Sequence, residues 1–522
     1  MFYVRSSRER AYNMLERAQN SKYRLVRDSF LVGILVGLII VLHRFIASKL
    51  SHVFIEVYSR GKENLVYIPI IFIVLIILGY IVSKQIKREP MISGSGIPQV
   101  EGILTRRLEV NWFRVLIHKF IGGLICLGAG LSVGREGPSV QMGACIGEGV
   151  SKNLKKLENE EKYLITSGAS AGLSAAFNAP LSGVMFALEE AHKNFSPLVL
   201  LSAMIASLTA DFVSKQFFGL IPSLHFGALT PIPLKYYWVL IILGIVIGIS
   251  GFIFNNGILK TQSIFKNSKL STEVKTIIPF IMTGIVGLIS PILLGGGHEL
   301  IMSLKSGGVA INILFVFIVV KYLFTFICFG SGVPGGIFFP LLTLGALVGN
   351  VVGIIAISYL GVPDSYIINF IVLAMAGHFA ATVKAPITAI ILISEMTGSL
   401  EHLLSLSIVV VVAQITSDIL KVHPIYESLL ESLLSKGENK YKGNGKKTLL
   451  EAAVHMNSEL DGKCIKDILW PTNCLVVAIT RGNTEILPKG CTKIIAGDYL
   501  TVMTDQNSSS EVLEKVTKLA EC

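Results

Sequence analysis

Charge is scarce in this chain. Only 16% of its 522 residues are Asp, Glu, Lys or Arg, against about 25% in an ordinary soluble protein, and 52% are hydrophobic. A soluble domain of this size is excluded. The charge that is present leans positive, at +11 net. No nucleic-acid motif accompanies it, so the excess reads as membrane orientation and contact with anionic lipid. The seven cysteines contain no CxxC pair, which argues against both a zinc site and a disulfide framework. Three (Cys126, Cys145, Cys328) lie in apolar runs and four (Cys464, Cys474, Cys491, Cys522) in a polar tail. They read as small buried hydrophobes plus an exposed terminal thiol. No apolar run begins near enough to the first residue to serve as a cleaved signal peptide. The apolar block holds no nucleophile–base pair and no metal-ligand cluster, so an enzyme is not expected. It also lacks a "TVGYG"-like filter, which counts against a potassium pathway.

Long apolar runs are what the chain has instead. "FLVGILVGLIIVL" (30–42), "LVYIPIIFIVLIILGYIV" (65–82) and "YWVLIILGIVIGISGFIF" (237–254) are examples. A bilayer crossing takes about 20 such residues, and 29–420 have room for roughly ten or more crossings. The expected class is a polytopic helical membrane protein. The leader, residues 1–28, carries Arg5, Arg8, Arg10, Arg17, Lys22, Arg24 and Arg27 and few acids, so it should stay cytoplasmic. The lysine-rich tail places the other terminus on the same side of the cell membrane. Four stretches result: the leader, a membrane block over 29–435, a linker "KGENKYKGNGKK" over 436–447, and a small α+β domain over 448–522. In that domain "CLVVAIT" and "YLTVMT" predict strands, "RGN" a turn, and Ser508 with Glu511 a capping box opening a helix. A module this small is expected to lean on a partner, such as its own copy.

The membrane block repeats itself. Gly143 and Gly147 follow Pro138 at the spacing with which Gly345 and Gly349 follow Pro340. Glu189 follows Pro180 as Glu395 follows Pro386. The order is kept in both halves, which points to an internal duplication of the kind secondary transporters use. Helix packing alone would also favour small residues at such spacings.

Three Gly/Pro-rich breaks interrupt the apolar runs: "SGSGIPQVEG" (93–102), "GREGPSV" (134–140) and "GVPGGIFFP" (332–340). Each leads straight into an apolar segment and so reads as a loop opening a helix. A helix N-terminus offers free N–H groups and the positive end of the macrodipole. Irregular backbone at membrane depth is tolerated only inside protein or beside a cavity. Three such starts predict a site for a small anion, bound weakly enough to leave again. Glu136, at the second break, can itself occupy an anion position when ionised and vacate it when protonated. The alternative is a buried Arg135–Glu136 pair serving structure alone.

"GSGIP" (94–98), "GREGP" (134–138) and "GGIFFP" (335–340) closely resemble the signature motifs of the CLC chloride channels and proton/chloride antiporters. "AGLSAAFNAPLSGVMFALEE" (171–190), "KAPITAIILISEMTG" (384–398) and "HPIYESLL" (423–430) extend the likeness over roughly 30–434. The resemblance implies an all-α polytopic membrane protein with two inverted halves and broken helices, assembled as a homodimer with one pore per subunit. It implies a motif backbone of Gly94, Gly96, Pro98, Gly134, Gly137, Pro138, Gly335, Gly336 and Pro340. Ser95, Tyr426 and the amides of Ile337 and Phe338 would bind the anion. Glu136 would be the external gating glutamate and Glu190 the internal proton-transfer glutamate. Taken alone, Ser95 reads as a helix cap, Tyr426 as an interfacial aromatic, and Glu189 could be the structural member of its pair. Serine after Gly94 is similar to chloride-preferring members, and proline after "GREG" with Tyr426 argues against the fluoride branch. His378 and Lys384 depart from the family pattern without an assigned role and read as a partly exposed loop pair. The tail (459–505) resembles the TrkA-type (RCK-C) regulatory domain of bacterial potassium-uptake proteins. That implies sensing of an unidentified small molecule or dimerisation, against a passive stabilising role.

The leading expectation is a proton-coupled chloride antiporter that needs no cofactor beyond its transported ions, chloride and H+. An uncoupled voltage- or pH-gated chloride channel is the runner-up. A potassium-uptake component, suggested by the tail alone, comes third.

Overall fold

The computed structural model describes residues 2–193, 195–227, 230–305, 309–434, 447–482, 484–505 and 508–521, the side chains of 2–21, 159 and 510 excepted. The chain divides into two compact units, Met1–Ser432 and Leu433–Cys522. The first opens with α1 (Phe2–Glu63), α2 (Tyr67–Arg88), α3 (Ile97–Leu104), α4 (Trp112–Ala129), α5 (Glu136–Asn153), α6 (Glu158–Phe177), α7 (Pro180–Phe186) and α8 (Pro197–Phe218). It continues with α9 (Tyr237–Asn267), α10 (Thr272–Ile289), α11 (His298–Leu304), α12 (Ile311–Gly330), α13 (Phe338–Leu360), α14 (Ile367–Val383), α15 (Pro386–Thr397), α16 (Leu403–Ile419) and α17 (Ile425–Leu434).

The order of long and short helices in α1–α8 recurs in α9–α16, as the repeated glycines and glutamates lead one to expect. The repeated glycines pack helix on helix. A Cβ at Gly143 or Gly147 would strike the backbone of Gly168 or Leu164 on α6, and one at Gly345 or Gly349 would strike Ala374 or Phe370 on α14. Duplication and close packing are therefore the same feature seen twice.

Nine helices among the described residues are long and apolar enough to cross a membrane, fewer than the ten or more that the apolar runs suggest. The shortfall lies in helices such as α5 and α6, which are rich in Gly, Ser and Ala. Residues 136–151 of α5 are all buried, so that helix needs no apolar face for lipid. No break marks residue 28: α1 runs unbroken from Phe2 to Glu63. Asp28 is buried there against Lys156, at 2.5 Å.

The second unit is a four-stranded antiparallel sheet, in the order β1 (Lys447–Ala453), β4 (Tyr499–Asp505), β2 (Cys474–Arg481), β3 (Thr484–Ile486). It is closed by α18 (Ser509–Ala520), whose Val512, Val516 and Ala520 meet Ile479, Leu500 and Val502 in one core. The expected strands are β2 and β4; β1 and β3 are additional. The Ser508–Glu511 capping box does not form. Ser508 has ψ near 2°, not the extended backbone that aims a cap side chain at the third helical amide. Its hydroxyl donates to the Asp505 carbonyl, and Glu511 pairs with Lys515. The expected linker, apart from Lys447, lies outside the described residues, as do Asn483 of the turn and the terminal Cys522.

Candidate functional site

The three breaks are sewn together by backbone hydrogen bonds. Gly335 N donates to Gly94 O (3.0 Å), Gly134 N to Gly336 O (2.7 Å), and Gly336 N back to Gly134 O (2.8 Å). Segments some two hundred residues apart in sequence thus share one short piece of sheet-like pairing, and α3, α5 and α13 all start from it. Glycine is required where the segments touch. Gly96 has φ of +97° and ends the first loop. At Gly137 a Cβ would sit 2.7 Å from Ser95 O and 3.2 Å from the Gly336 Cα. Side chains hold the loops as well: Ser93 Oγ donates to Gly332 O (2.8 Å) and Gln141 Nε2 to Met91 O (2.8 Å).

Ser95 and Tyr426 are buried, and neither hydroxyl has a hydrogen-bond partner among the described residues. That arrangement is costly unless a ligand completes it. Ser95 is not a cap, since Gly96 is the residue preceding α3. Tyr426 is not interfacial, since its residue is 0% exposed. Its ring stands edge-on to Phe186, with centroids 6.5 Å apart. Phe186 in turn meets Phe338 at 6.3 Å, and Phe338 meets Phe177 and Phe379 at 5.2 and 4.7 Å. These aromatics brace the first turn of α13, whose N–H groups, including those of Ile337 and Phe338, have no intrahelical acceptor. Two hydroxyl donors and a helix start with free amides suit a small desolvated anion.

Glu136 is the first residue of α5 and is fully buried. Its carboxylate faces its own amide and that of Phe339, without closing an ordinary hydrogen bond to either. Arg135 Nε lies 3.9 Å from Glu136 Oε1, too far for a hydrogen-bonded pair. A second cation, Arg44, also acts on this carboxylate; it is anchored on Asn178 Oδ1 (2.8 Å) and stacked 3.9 Å from the centre of the Phe218 ring. The two guanidiniums set a positive field around Glu136 without locking it.

The two glutamates of "FALEE" separate cleanly. Glu189 accepts from Ile387 N (3.2 Å), Thr388 N (2.7 Å) and Thr388 Oγ1 (2.7 Å), capping α15. Glu190 is buried, and its Oε1 has no hydrogen-bond partner among the described residues. The charges of both Glu190 and Glu136 reach Tyr426, so the phenol sits within the influence of the two acids.

Of the expected loop pair, Lys384 is partly exposed in the two-residue connection between α14 and α15, whereas His378 is not on a loop. His378 is wholly buried on α14, edge-on to Phe254 with centroids 5.7 Å apart. Lys384 ends α14 with φ of +69° and ties it to α16 through Ser417 Oγ (2.7 Å) and Asp418 Oδ1 (2.6 Å). The apolar periodicity of α14 continues through His378, which is why the ring lies in the core.

The motifs alone do not show two buried lysines. Lys119 Nζ donates to Ile92 O (2.8 Å) and Gly94 O (2.7 Å), holding the loop that presents Ser95. Lys321 Nζ donates to Leu293 O (3.0 Å) and Gly295 O (2.6 Å), holding the matching loop before α11. A signal for them existed: Lys119 and Lys321 keep the offset of Pro138 and Pro340.

Comparisons with known proteins bear on the family and the fold. A family model described as voltage gated chloride channel matches residues 73–418, and a TrkA-C domain model matches residues 449–517. The chain is 34% identical over 445 residues to the H(+)/Cl(-) exchange transporters ClcA of Salmonella arizonae and Salmonella typhi, covering 83% of this chain and 93% of each of those. Its fold matches the crystal structure of a slow cyanobacterial Cl-/H+ antiporter with a TM-score of 0.75 and 30% identity, over 79% of this chain and 98% of that one. A CLC-type fluoride/proton antiporter, at 22% identity and a TM-score of 0.63 over 78% of this chain and 97% of that one, shares the fold. From its sewn glycine breaks to its matched length, the chain is a multi-pass membrane protein that belongs to the CLC family and carries a C-terminal TrkA-C domain.

Proposed function

We propose that the protein exchanges chloride for protons across the membrane. The observation that carries this reading is the position of Glu136, whose buried carboxylate faces the Phe339 amide at the start of α13. An ionised carboxylate there takes the place of an anion at the helix start. When it accepts a proton it loses its attraction for the amide dipoles, and chloride enters. Proton and anion thereby compete for one position, and each can be moved by the gradient of the other. Ser95 Oγ, Tyr426 OH and the amides of Ile337 and Phe338 donate to the central chloride. Glu190 is the second proton station. Glu189 is committed to capping α15, which leaves Glu190 as the member of the pair able to gain and lose a proton. Serine at position 95 supports chloride as the preferred anion. Arg135 and Arg44 raise the local anion concentration by their field.

By its family resemblance the protein works as a homodimer with one pore per subunit and both termini in the cytoplasm. The TrkA-C domain is read as a module for ligand sensing or self-association. Removing 448–522 with no change in flux would assign it to passive stabilisation.

The test is flux from purified protein in liposomes. An imposed chloride gradient should drive protons uphill, and Glu190→Gln should abolish proton movement while chloride still flows. Chloride flux at its Nernst potential with no proton movement in the parent protein would establish the uncoupled channel instead.

A further inference from the structure

A charged cluster closes the Glu190 end of the site. Lys193 Nζ donates to Glu101 Oε1 (2.6 Å) and also to Glu427 Oε1. The three residues lie on three elements that each carry a part of the exchange machinery. Glu101 is on α3, six residues beyond Ser95. Glu427 is on α17, next to Tyr426. Lys193 follows the π-helical turn Ala187–Ala191 that holds Glu190. It adopts φ of +52°, a left-handed conformation unfavourable for an ordinary residue, so the surrounding contacts must hold it there.

The cluster also grades from water to the interior. Side-chain exposure falls from 46% at Glu427 and 38% at Lys193 to 5% at Glu101, and Glu190 is buried. Glu101 Oε2 and Glu190 Oε1 are both buried without a partner. An exposed ion pair contributes little, but Glu101 is not exposed, and Lys193 is the cation that hydrogen-bonds to it. The other charges facing this group are Arg107 beyond α3, Glu189 and Glu190 on the π-helical turn, and Glu427 on α17.

Resting on the exchange reading, we propose that Lys193 is a positioning residue of the transport cycle. Its ammonium ties the helix presenting Ser95 to the helix presenting Tyr426, and releases them when Glu101 takes up a proton bound for Glu190. The proton passes from water to the Glu101 carboxylate and on to the Glu190 carboxylate, so no other reactant is needed. With Glu101 neutral, Lys193 keeps only Glu427, and the two anion donors are free to separate. Proton loading at one end and chloride retention in the middle are then linked mechanically as well as by charge.

The experiment compares the full-length parent with Lys193→Met, Lys193→Arg and Glu427→Gln. Chloride Kd is measured by calorimetry in detergent, and the proton-to-chloride ratio in liposomes. Lys193→Met keeps the side chain's length without its charge. It should weaken chloride binding by about three- to ten-fold, as loss of a charge-assisted tether does, and lower the ratio. Lys193→Arg should leave both near the parent values. A folded Lys193→Met with unchanged Kd and ratio overturns the proposal, as do Met and Arg variants impaired alike. If Lys193→Met fails to fold, Glu427→Gln breaks the same tether from the solvent side and should weaken Kd in the same direction; no change there also overturns it. A parent protein that moves no protons removes the exchange reading, whereas the Kd comparison still decides whether the tether acts on the anion site.

Discussion

Glu189 and Glu395 cap each other's helices. Glu189, at the end of the α7 segment, accepts from the first amides of α15. Glu395, near the end of α15, accepts from Leu181 N (3.0 Å), Ser182 N (2.7 Å) and Ser182 Oγ (2.5 Å) at the start of α7. Two antiparallel short helices are thus locked by reciprocal carboxylate caps, and the two repeats are joined where they face each other. Each carboxylate also meets the positive end of the opposing helix.

Reciprocal capping predicts a stability phenotype. Glu189→Gln and Glu395→Gln should each lower stability by about 1–2 kcal/mol, the usual weight of a lost helix cap. Thermal unfolding in detergent reads this. Glu190→Gln, which removes no cap, should melt close to the parent. Equal destabilisation by all three would contradict the division of roles between Glu189 and Glu190.

The two orphan hydroxyls predict binding losses. Ser95→Ala and Tyr426→Phe each delete one of the proposed donors to the anion, and a hydrogen bond to a charged group contributes about 1.5–3 kcal/mol. Chloride Kd by calorimetry should rise about ten-fold or more for each. The double variant should lose less than the sum, because both donors serve one ion.

Lys119 and Lys321 make equivalent bonds in the two halves but hold different loops. Lys119→Met and Lys321→Met should both lower the melting temperature, since each strips a hydrogen bond from a buried carbonyl, Ile92 O or Leu293 O, and a second from Gly94 O or Gly295 O. Lys119→Met should also weaken chloride binding, because its loop presents Ser95. Lys321→Met should leave Kd nearly unchanged. The same Kd shift in both variants would mean that the lysines act through general packing.

Acid should loosen the C-terminal domain. Burial pushes the Asp498 carboxyl up, but its hydrogen bonds from Arg481 (both at 2.8 Å) and from Ile495 N (3.0 Å) outweigh that and hold it below the usual carboxylate value. A depressed folded value means that the stabilisation is fully present above the unfolded value of about 3.9. It is lost as pH falls through the folded value below that. Protection of the β2 and β4 amides against hydrogen exchange, relative to their intrinsic rates, should fall in the full-length protein below about pH 4. In Asp498→Asn it should be lower already at neutral pH and lose this acid dependence.

Composition, apolar run length and Gly/Pro breaks determined the class, the halves and the starts of α3, α5 and α13. These are local matters: a glycine loop cannot continue a helix, and a long apolar run has no other solvent to face. Through its family resemblance the sequence also narrowed the proposed anion site to a few motif residues. Residue type alone does not part Glu189 from Glu190; the family resemblance gave Glu190 the proton role and left Glu189 as a structural member, and the position of α15 shows that Glu189 is the one that finds amides to cap. The sequence placed His378 and Lys384 on a loop, which holds for Lys384 between α14 and α15, while packing put His378 in the core of α14. It did not reveal Lys119, Lys321 or Lys193, since the partners of each ammonium lie on other segments. Tertiary structure decided those assignments for one reason: a buried charge is defined by what the rest of the chain brings within hydrogen-bond reach.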